Sequence, residues 1–297
     1  MTNNFIKKIM IGTAQFGTEY GVSNKKKISK DQLKKIFYFL EKKKIHKFDT
    51  AENYGDAEIK IGKNNKKKKF VLSTKISSLK KVKQKDLEMQ INHKVEKMCE
   101  RLNTNKINYL LLHDFKDIQR KDNKSKKIIT ILRKIKKSGK ILNFGVSVYS
   151  CKDVEKIIKN HKIDFVQIPF NLFDQSLLKK NFYKKLQDKK IDIHIRSIFL
   201  QGLVFVDYKK EKNKKLLKIT KKLNFFLDKK KNEKINLLIN FIKNYNFYNK
   251  IIIGVNSLNQ LKEITKIFEQ KENYNNRQFS KYKRTDKSLI DPRNWKV

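Results

Sequence analysis

The sequence contains few of the residues that interrupt a fold or link domains. Its 297 residues include two prolines and nine glycines. No stretch rich in proline, glycine and serine divides the chain. It also lacks the apolar run of about 18 residues that a membrane span needs. We therefore expect residues 1–297 to form a single domain with no membrane-spanning segment.

Cysteine is also scarce. Cys99 and Cys151 lie far apart and in no metal-ligand spacing, so we expect no metal site. The first twelve residues mix polar and apolar side chains and lack the uninterrupted apolar run of a signal peptide. Together these features predict a protein of the reducing cytoplasm.

Acidic residues are few relative to basic ones. The chain has 73 lysines and arginines against 29 aspartates and glutamates, a formal net charge of +44. Such a charge raises the hypothesis of a protein that binds nucleic acid or another polyanion. However, the lysines occur in short runs spread along the chain, such as 42–44 and 66–69, together with many Asn and Ile. We interpret them as a solvated surface and keep polyanion binding as the weaker alternative.

Short apolar segments alternate with longer amphipathic segments eight times. Ser29 with Gln32 and Ser257 with Gln260 have the spacing of capping boxes that begin helices. An open doubly wound sheet would carry a G-x-G-x-x-G turn, which the chain lacks. Eight repeats therefore predict an α/β fold, the (β/α)8 TIM barrel. The predicted strands are residues 8–12, 47–49, 70–74, 107–113, 143–147, 165–169, 192–197 and 251–254.

Two regions depart from this alternation. Residues 204–250 are longer than the other connections and rich in lysine, so we expect an extra helix before the last strand. From about 271 to 297 the chain loses clear periodicity, and we treat this region as a C-terminal tail.

Chemically active side chains follow three successive predicted strands. Asp49 ends the second strand, with Tyr54 in the loop after it, Lys75 follows the third strand and His113 ends the fourth. The carboxyl ends of TIM-barrel strands converge on one mouth. We therefore expect a carboxylate, a phenol, an ammonium and an imidazole to meet there.

These four groups suit the donation of a proton to a carbonyl oxygen while a hydride reaches the carbonyl carbon. Tyr54 would be the acid, and the Lys75 ammonium would lower the pKa of its phenol toward working pH. Asp49 would neutralise Lys75 and hold it in place. His113 would donate a hydrogen bond to the substrate oxygen or complete a proton relay. Each residue alone has a structural interpretation, but their joint placement favours a catalytic tetrad.

The residues around this tetrad resemble the aldo/keto reductase superfamily. The run from Phe48 to Gly62 is similar to its Asp-Thr-Ala, Tyr-Gly and Glu-x-x-Leu/Ile-Gly signature. Further similar segments, from residues 11–17 to residues 290–295, cover almost the whole chain. The resemblance implies a barrel that binds NAD(P)H in an extended form without a Rossmann domain, which agrees with the missing glycine motif.

The resemblance also implies which residues hold the cofactor. Ser147 and Gln167 would bind the nicotinamide carboxamide, and Asp49 would lie near the ribose. The capped start of the last barrel helix would offer free N–H groups and a positive dipole end to a phosphate, with Gln260 and Glu263 on one face of that helix. The other implied residues are Gly12 and Thr13 in the first strand and loop, Arg196, Ser197 and Gly202 along the nicotinamide and pyrophosphate path, and Gly254 and Asn256 at the adenosine phosphate end.

Four positions depart from the family pattern. Val148 replaces an Asn that contacts the carboxamide, and Ile264 replaces an Asn at the adenine. Arg196 stands where many members have an aromatic that stacks on the nicotinamide, although a planar guanidinium also stacks. Asn256 stands where a basic residue often meets the 2′-phosphate, which weakens the case for NADP(H). We favour NADP(H) slightly, with NAD(H) as the alternative.

The leading hypothesis is an oxidoreductase that interconverts a small polar aldehyde or ketone, for example a sugar or sugar derivative, and its alcohol. The alternative is a barrel that binds or senses a nicotinamide nucleotide with little turnover, as potassium-channel β-subunits of the superfamily do. The loops carry no motif that decides the substrate, the reaction direction or the oligomeric state.

Overall fold

The computed structural model describes residues 5–22, 27–227, 231–270 and 276–295. Within these residues eight parallel strands pair in chain order, and the last pairs with the first through Gly12 and Gly254, which closes a barrel. The predicted TIM barrel is confirmed. The strands are β1 (Ile9–Gly12), β2 (Lys47–Asp49), β3 (Val71–Ile76), β4 (Ile107–Leu112), β5 (Ile141–Ser147), β6 (Phe165–Pro169), β7 (Asp192–Arg196) and β8 (Lys250–Gly254).

Each predicted strand has its counterpart, with shifts of one or two residues at the ends. β3 continues to Ile76 because Lys75 and Ile76 still pair with Leu111 and Leu112 of β4. β7 ends at Arg196 because Ser197 has a φ of 62°, in the left-handed region. These differences do not alter which residues stand at the mouth of the barrel.

The two predicted capping residues begin helices, although neither completes a capping box. Ser29 Oγ accepts a hydrogen bond from Gln32 N, and Ser257 Oγ accepts one from Gln260 N. The Gln32 side chain instead accepts from Leu258 N. The helices are α1 (Ala14–Gly17), α2 (Lys30–Lys42), α3 (Ala57–Asn64), α4 (Leu87–Leu102), α5 (Asn123–Lys137), α6 (Cys151–Asn160), α7 (Phe182–Asp188), α8 (Lys214–Leu227), α9 (Lys231–Lys243), α10 (Leu258–Glu269) and α11 (Lys287–Ile290).

Alternation along β2 separates the core from the site. Successive side chains of a strand point to opposite faces. Phe48 packs outward against Phe37 of α2 and against Phe70, with ring centroids 5.5 and 4.6 Å away. Asp49, the next residue, lines the barrel interior. Burial of an aromatic side chain of this kind stabilises the fold by about 1.5–3 kcal/mol, so the packing of Phe48 fixes the orientation of Asp49.

The predicted insertion and tail both contain helices. Residues 204–250 hold α8 and α9, two helices between β7 and β8. In the tail, α11 and a 3-10 turn, Pro292–Trp295, pack against the barrel, where Trp295 is buried and its Nε1 donates to Ser288 O. Residues 271–275 and 296–297 of the predicted tail lie outside the described residues.

The lysine runs lie on the surface, as their interpretation as a solvated face requires. Residues 66–69 are all exposed, as are Lys42 and Lys44 at the end of α2. Across the described ranges, we find no helix with the length and apolar character needed to cross a membrane.

Candidate active site

A buried ion pair lies at the centre of the barrel mouth. Lys75 Nζ is 2.6 Å from Asp49 Oδ2, and the two side chains are 2% and 5% exposed. Lys75 Nζ also donates to Thr50 O at 2.8 Å. Asp49 Oδ1 accepts hydrogen bonds from Ser73 Oγ and Gln167 Nε2, each at 2.8 Å. The predicted role of Asp49 in neutralising and holding Lys75 agrees with this geometry.

The register of β2 and β3 produces this pair. Asp49 is paired with Ser73, and Lys75, two residues further along β3, points to the same face of the sheet. Thr13 N and Thr13 Oγ1 both donate to Asp49 O, which ties the end of β2 to the loop after β1. The ammonium therefore reaches the carboxylate from the neighbouring strand without a loop having to place it.

Two glycines place Tyr54 over the pair. A Cβ atom on Gly17 would collide with the backbone oxygen of Tyr54, so only glycine allows the loop after β1 to touch the loop after β2. Gly55 has a φ of +56° and also faces the backbone of Gly17. The Tyr54 loop is thereby pressed against α1 at the edge of the barrel mouth.

Tyr54, His113 and Lys75 form a compact group. The Tyr54 and His113 rings are 6.0 Å apart and nearly perpendicular, at 86°. Lys75 Nζ is 5.4 Å from the centre of the Tyr54 ring. All four residues of the predicted tetrad line one cavity, so the structure brings together the groups that the strand ends predicted.

The electrostatics of Tyr54 differ from the sequence expectation. Burial, followed by the Asp49 carboxylate, raises the pKa of Tyr54 well above its ordinary value, and Arg196 opposes this shift only partly. The expected net lowering of the Tyr54 pKa is therefore wrong for this structure, because burial and the Asp49 carboxylate outweigh the nearby positive charge. Burial also lowers the pKa of Lys75 itself. The Tyr54 phenol is protonated at neutral pH.

His113 is neutral at physiological pH. Burial, together with the positive charges of Lys75 and Arg196, lowers its pKa to about 4. A neutral imidazole keeps one N–H to donate and one nitrogen to accept. This state is compatible with both predicted roles, hydrogen-bond donation to a substrate oxygen and participation in a proton relay.

The cavity has a volume of about 430 Å³ and extends from the tetrad to the start of α10. Glu263 does not line it. Three residues after Gln260, it lies about 4.5 Å further along the helix axis, so its predicted contact with the cofactor lacks support from the geometry. The sequence-predicted residues that do line the cavity are Gly12, Thr13, Asp49, Tyr54, Lys75, His113, Ser147, Gln167, Arg196, Ser197, Gly202, Gly254, Asn256 and Gln260.

The start of α10 is less open than predicted. Gln260 Oε1 accepts from Asn256 N at 2.7 Å, and the N–H groups of Leu258 and Gln260 donate to Gln32 and Ser257. The prediction that this turn offers free N–H groups is therefore wrong at these three positions, because neighbouring side chains take them. A phosphate there would have to displace the Gln260 side chain.

Two of the four departures from the family pattern are core residues. Val148 and Ile264 are at most 1% exposed and belong to the hydrophobic core. Neither lines the cavity. Val148 O instead accepts a hydrogen bond from Arg196 Nη2. Both side chains thus pack in the core and do not face the cavity.

The polar groups of the cavity fit a nicotinamide nucleotide. Arg196 Nε and Asn256 Oδ1 are buried without a hydrogen-bond partner among the described residues, one near the tetrad and one near α10. Buried polar atoms are rarely left unpaired. Ser147 and Gln167, at the ends of β5 and β6, also line the cavity. Polar groups of ligands bound at these two ends of the cavity would satisfy the two orphaned atoms.

Sequence reasoning missed three prominent lining residues. Tyr20 lies 6.3 Å from Tyr54 and accepts a hydrogen bond from Gln201, and Tyr149 follows β5. The strand-end rule that found the tetrad also points to Tyr149, two residues after Ser147. The approach of Tyr20 to Gln201, 181 positions later, has no signal in the sequence.

A closed barrel with this cavity at the carboxyl ends of its strands is a TIM-barrel enzyme site. The family model for aldo/keto reductases matches residues 8–286, and the chain belongs to the aldo/keto reductase family. Its general class is therefore that of the NAD(P)H-dependent carbonyl oxidoreductases.

Solved structures share the fold. The holo form of an aldo-keto reductase from Bacillus halodurans aligns with a TM-score of 0.69 and 15% identity over 97% of this chain and 95% of that chain. A Pseudomonas aeruginosa protein described as an aldo-keto reductase aligns with a TM-score of 0.64 and 15% identity over 89% of each. No curated protein matches the sequence significantly.

The protonation state of His113 is directly measurable. We expect the His113 ring nitrogens, followed by ¹⁵N NMR, to remain neutral from about pH 5.5 upward, because the pKa is held near 4. In Lys75→Met the pKa of His113 should rise toward its ordinary value, since the nearby positive charge is removed. A His113 titration midpoint at pH 6–7 in the unaltered protein would contradict this description of the site.

Proposed function

We propose that the protein reduces an aldehyde or ketone with NAD(P)H and that Tyr54 donates the proton. The observation that carries this proposal is the position of Tyr54, which lines the cavity beside His113 and the Asp49–Lys75 pair. Proton donation by a positioned side chain contributes roughly 10²–10⁴-fold to a rate.

The residues of the chain divide this task. The bound nicotinamide supplies a hydride to the carbonyl carbon. Tyr54 Oη gives its proton to the carbonyl oxygen as negative charge develops there, and His113 donates a hydrogen bond to the same oxygen. The Lys75 ammonium, 5.4 Å from the centre of the Tyr54 ring, stabilises the phenolate that remains. The same groups act in the opposite order when an alcohol is oxidised.

The cavity favours a small polar substrate. Near Tyr54 it is lined by hydroxyl and amide groups from Tyr20, Asn53, Tyr149 and Gln201. Such groups form hydrogen bonds with a hydroxylated molecule. When an apolar molecule binds, they are left without hydrogen-bond partners. This supports a sugar or sugar derivative as the carbonyl substrate.

Tyr54→Phe tests the proposal against a barrel that binds the nucleotide without turnover. We expect Tyr54→Phe to lower kcat by at least roughly 10²-fold, because the proton donor is removed. NADPH or NADH binding should stay within about threefold. The measurement is absorbance at 340 nm with a panel of hydroxyaldehydes.

Tyr20→Phe is the matched control, since Tyr20 is a second cavity tyrosine 6.3 Å from Tyr54. It should retain most of kcat and raise KM, because the Tyr20 hydroxyl contacts the substrate but does not donate the proton. The alternative, a barrel that senses the nucleotide, predicts a different result. The unaltered protein would bind the nucleotide without oxidising it when a carbonyl compound is added, and Tyr54→Phe would change neither property.

The far end of the cavity bears on the choice between the two nucleotides. Among the described lining residues, the cationic side chains are Lys75 and Arg196, and both influence the tetrad. Asn256 and Gln260, which are neutral, line the α10 end. A 2′-phosphate gains most from a cation beside it. We infer that NAD(H) binds at least as well as NADP(H), which revises the slight preference that the sequence suggested.

Asn256→Arg tests this inference. We expect the variant to tighten NADPH binding by about tenfold, since one charge-assisted contact to phosphate contributes about 1.4 kcal/mol or more. NADH binding should change by less than about threefold. Titration of nucleotide fluorescence measures both, with Asn256→Ala as the uncharged control. A preference of the unaltered protein for NADPH by tenfold or more would refute the inference.

A further inference from the structure

Arg196 is a cation at the tetrad without an acidic partner. It ends β7 and lines the cavity. Its Nη2 donates to Val148 O at 2.9 Å and its Nη1 to Ser197 Oγ at 3.1 Å. Its Nε is buried and unpaired, and no ion pair between described residues includes it. Arg196 as a whole is partly buried, and a guanidinium that lines a cavity is suited to pair with a carboxylate or phosphate of a ligand.

Neither nearby carboxylate forms an ion pair with Arg196. Asp49 is bonded to Lys75, Ser73 and Gln167. Asp174 is 3% exposed, and its Oδ1 accepts from Ser176 N. The charge of Arg196 affects the pKa of Asp174, Tyr54 and His113, so it is close enough to act on the reacting groups. With His113 neutral, this end of the cavity carries an excess positive charge.

Tyr149 fixes the position of this charge. The Arg196 guanidinium lies 4.5 Å from the centre of the Tyr149 ring, and the Arg293 guanidinium lies 4.1 Å from the same centre. Arg293 is held in turn by Asp291, with Nη2 2.6 Å from Oδ2 and Nε 2.9 Å from Oδ1. A planar cation stacked on an aromatic face keeps its N–H edges free for a ligand. Arg196 is therefore preorganised beside the proton donor.

We propose that Arg196 selects carbonyl substrates that carry a carboxylate or phosphate group. This inference rests on the proposed reduction and names its substrate class. The reacting carbonyl lies at Tyr54 and His113, and the anionic group of the same molecule pairs with the Arg196 guanidinium. Because Arg196 is partly buried and a guanidinium can donate two parallel hydrogen bonds to a carboxylate or phosphate, this contact is stronger than a surface ion pair. Neutral carbonyl compounds leave Arg196 unpaired and react more slowly.

Matched substrate pairs test the proposal. Succinic semialdehyde is compared with butanal, and glyceraldehyde 3-phosphate with glyceraldehyde; each pair differs by one anionic group. We expect kcat/KM of the unaltered protein to favour the anionic member of at least one pair by tenfold or more. Which pair responds distinguishes carboxylate from phosphate. Arg196→Met should reduce that ratio to about 1, and Arg196→Lys should retain part of it.

A contact between Arg196 and the cofactor is the competing account. It predicts that Arg196→Met weakens NADH binding while the ratio between anionic and neutral substrates stays as it was, and that result would overturn the proposal. Arg293→Met is the matched control, because it removes the guanidinium on the other face of Tyr149. It should keep the preference for the anionic substrate.

Succinate binding gives a readout that does not depend on turnover. Calorimetric titration of the protein without nucleotide should show a succinate or inorganic phosphate site that Arg196→Met removes and Arg293→Met retains. Absence of turnover with every carbonyl compound would refute the proposed reduction. In that case the titration with succinate and phosphate would still show whether Arg196 binds an anion. Equal turnover of charged and neutral substrates would refute the selection while leaving the reduction intact.

Discussion

The buried Asp49–Lys75 ion pair is the interaction on which the candidate site depends. Taking two charges out of water costs several kcal/mol for each ion, so neither side chain is stable there without the other. Ser73, Gln167 and the Thr50 carbonyl complete the hydrogen bonds of the pair. Since these groups come from β3, β6 and the end of β2, the barrel closure and the pair support each other.

The pair also explains the protonation states around it. Burial, followed by the Asp49 carboxylate of the pair, raises the pKa of Tyr54 and keeps its phenol protonated. The same burial, with the residual positive charge, keeps His113 neutral. A proton donor and a neutral hydrogen-bond donor thus face one cavity, while Arg196 remains as the cation without a counterion. The chemistry and the proposed charge preference follow from one distribution of charges.

Much of this arrangement was predictable from the sequence. The alternation of apolar and amphipathic segments predicts the barrel, and strand ends place Asp49, Lys75 and His113 at one mouth. Contacts between distant residues were not predictable, such as Tyr149 between Arg196 and Arg293. The direction of the Tyr54 pKa shift was also beyond the sequence, because it depends on a balance of burial and charge in three dimensions. At α10 the glutamine of the capping motif turned to Asn256 N, a choice that spacing alone does not determine.

A double-mutant cycle on Asp49 and Lys75 tests this account most directly. We expect Asp49→Asn and Lys75→Met each to lower the free energy of unfolding by about 3–5 kcal/mol, because each leaves a buried charge unpaired. The double variant should lose less stability than the sum of the two single losses. All three variants should lack carbonyl reduction. Additive losses of stability, or a single variant that retains full stability and activity, would contradict the central role of the pair.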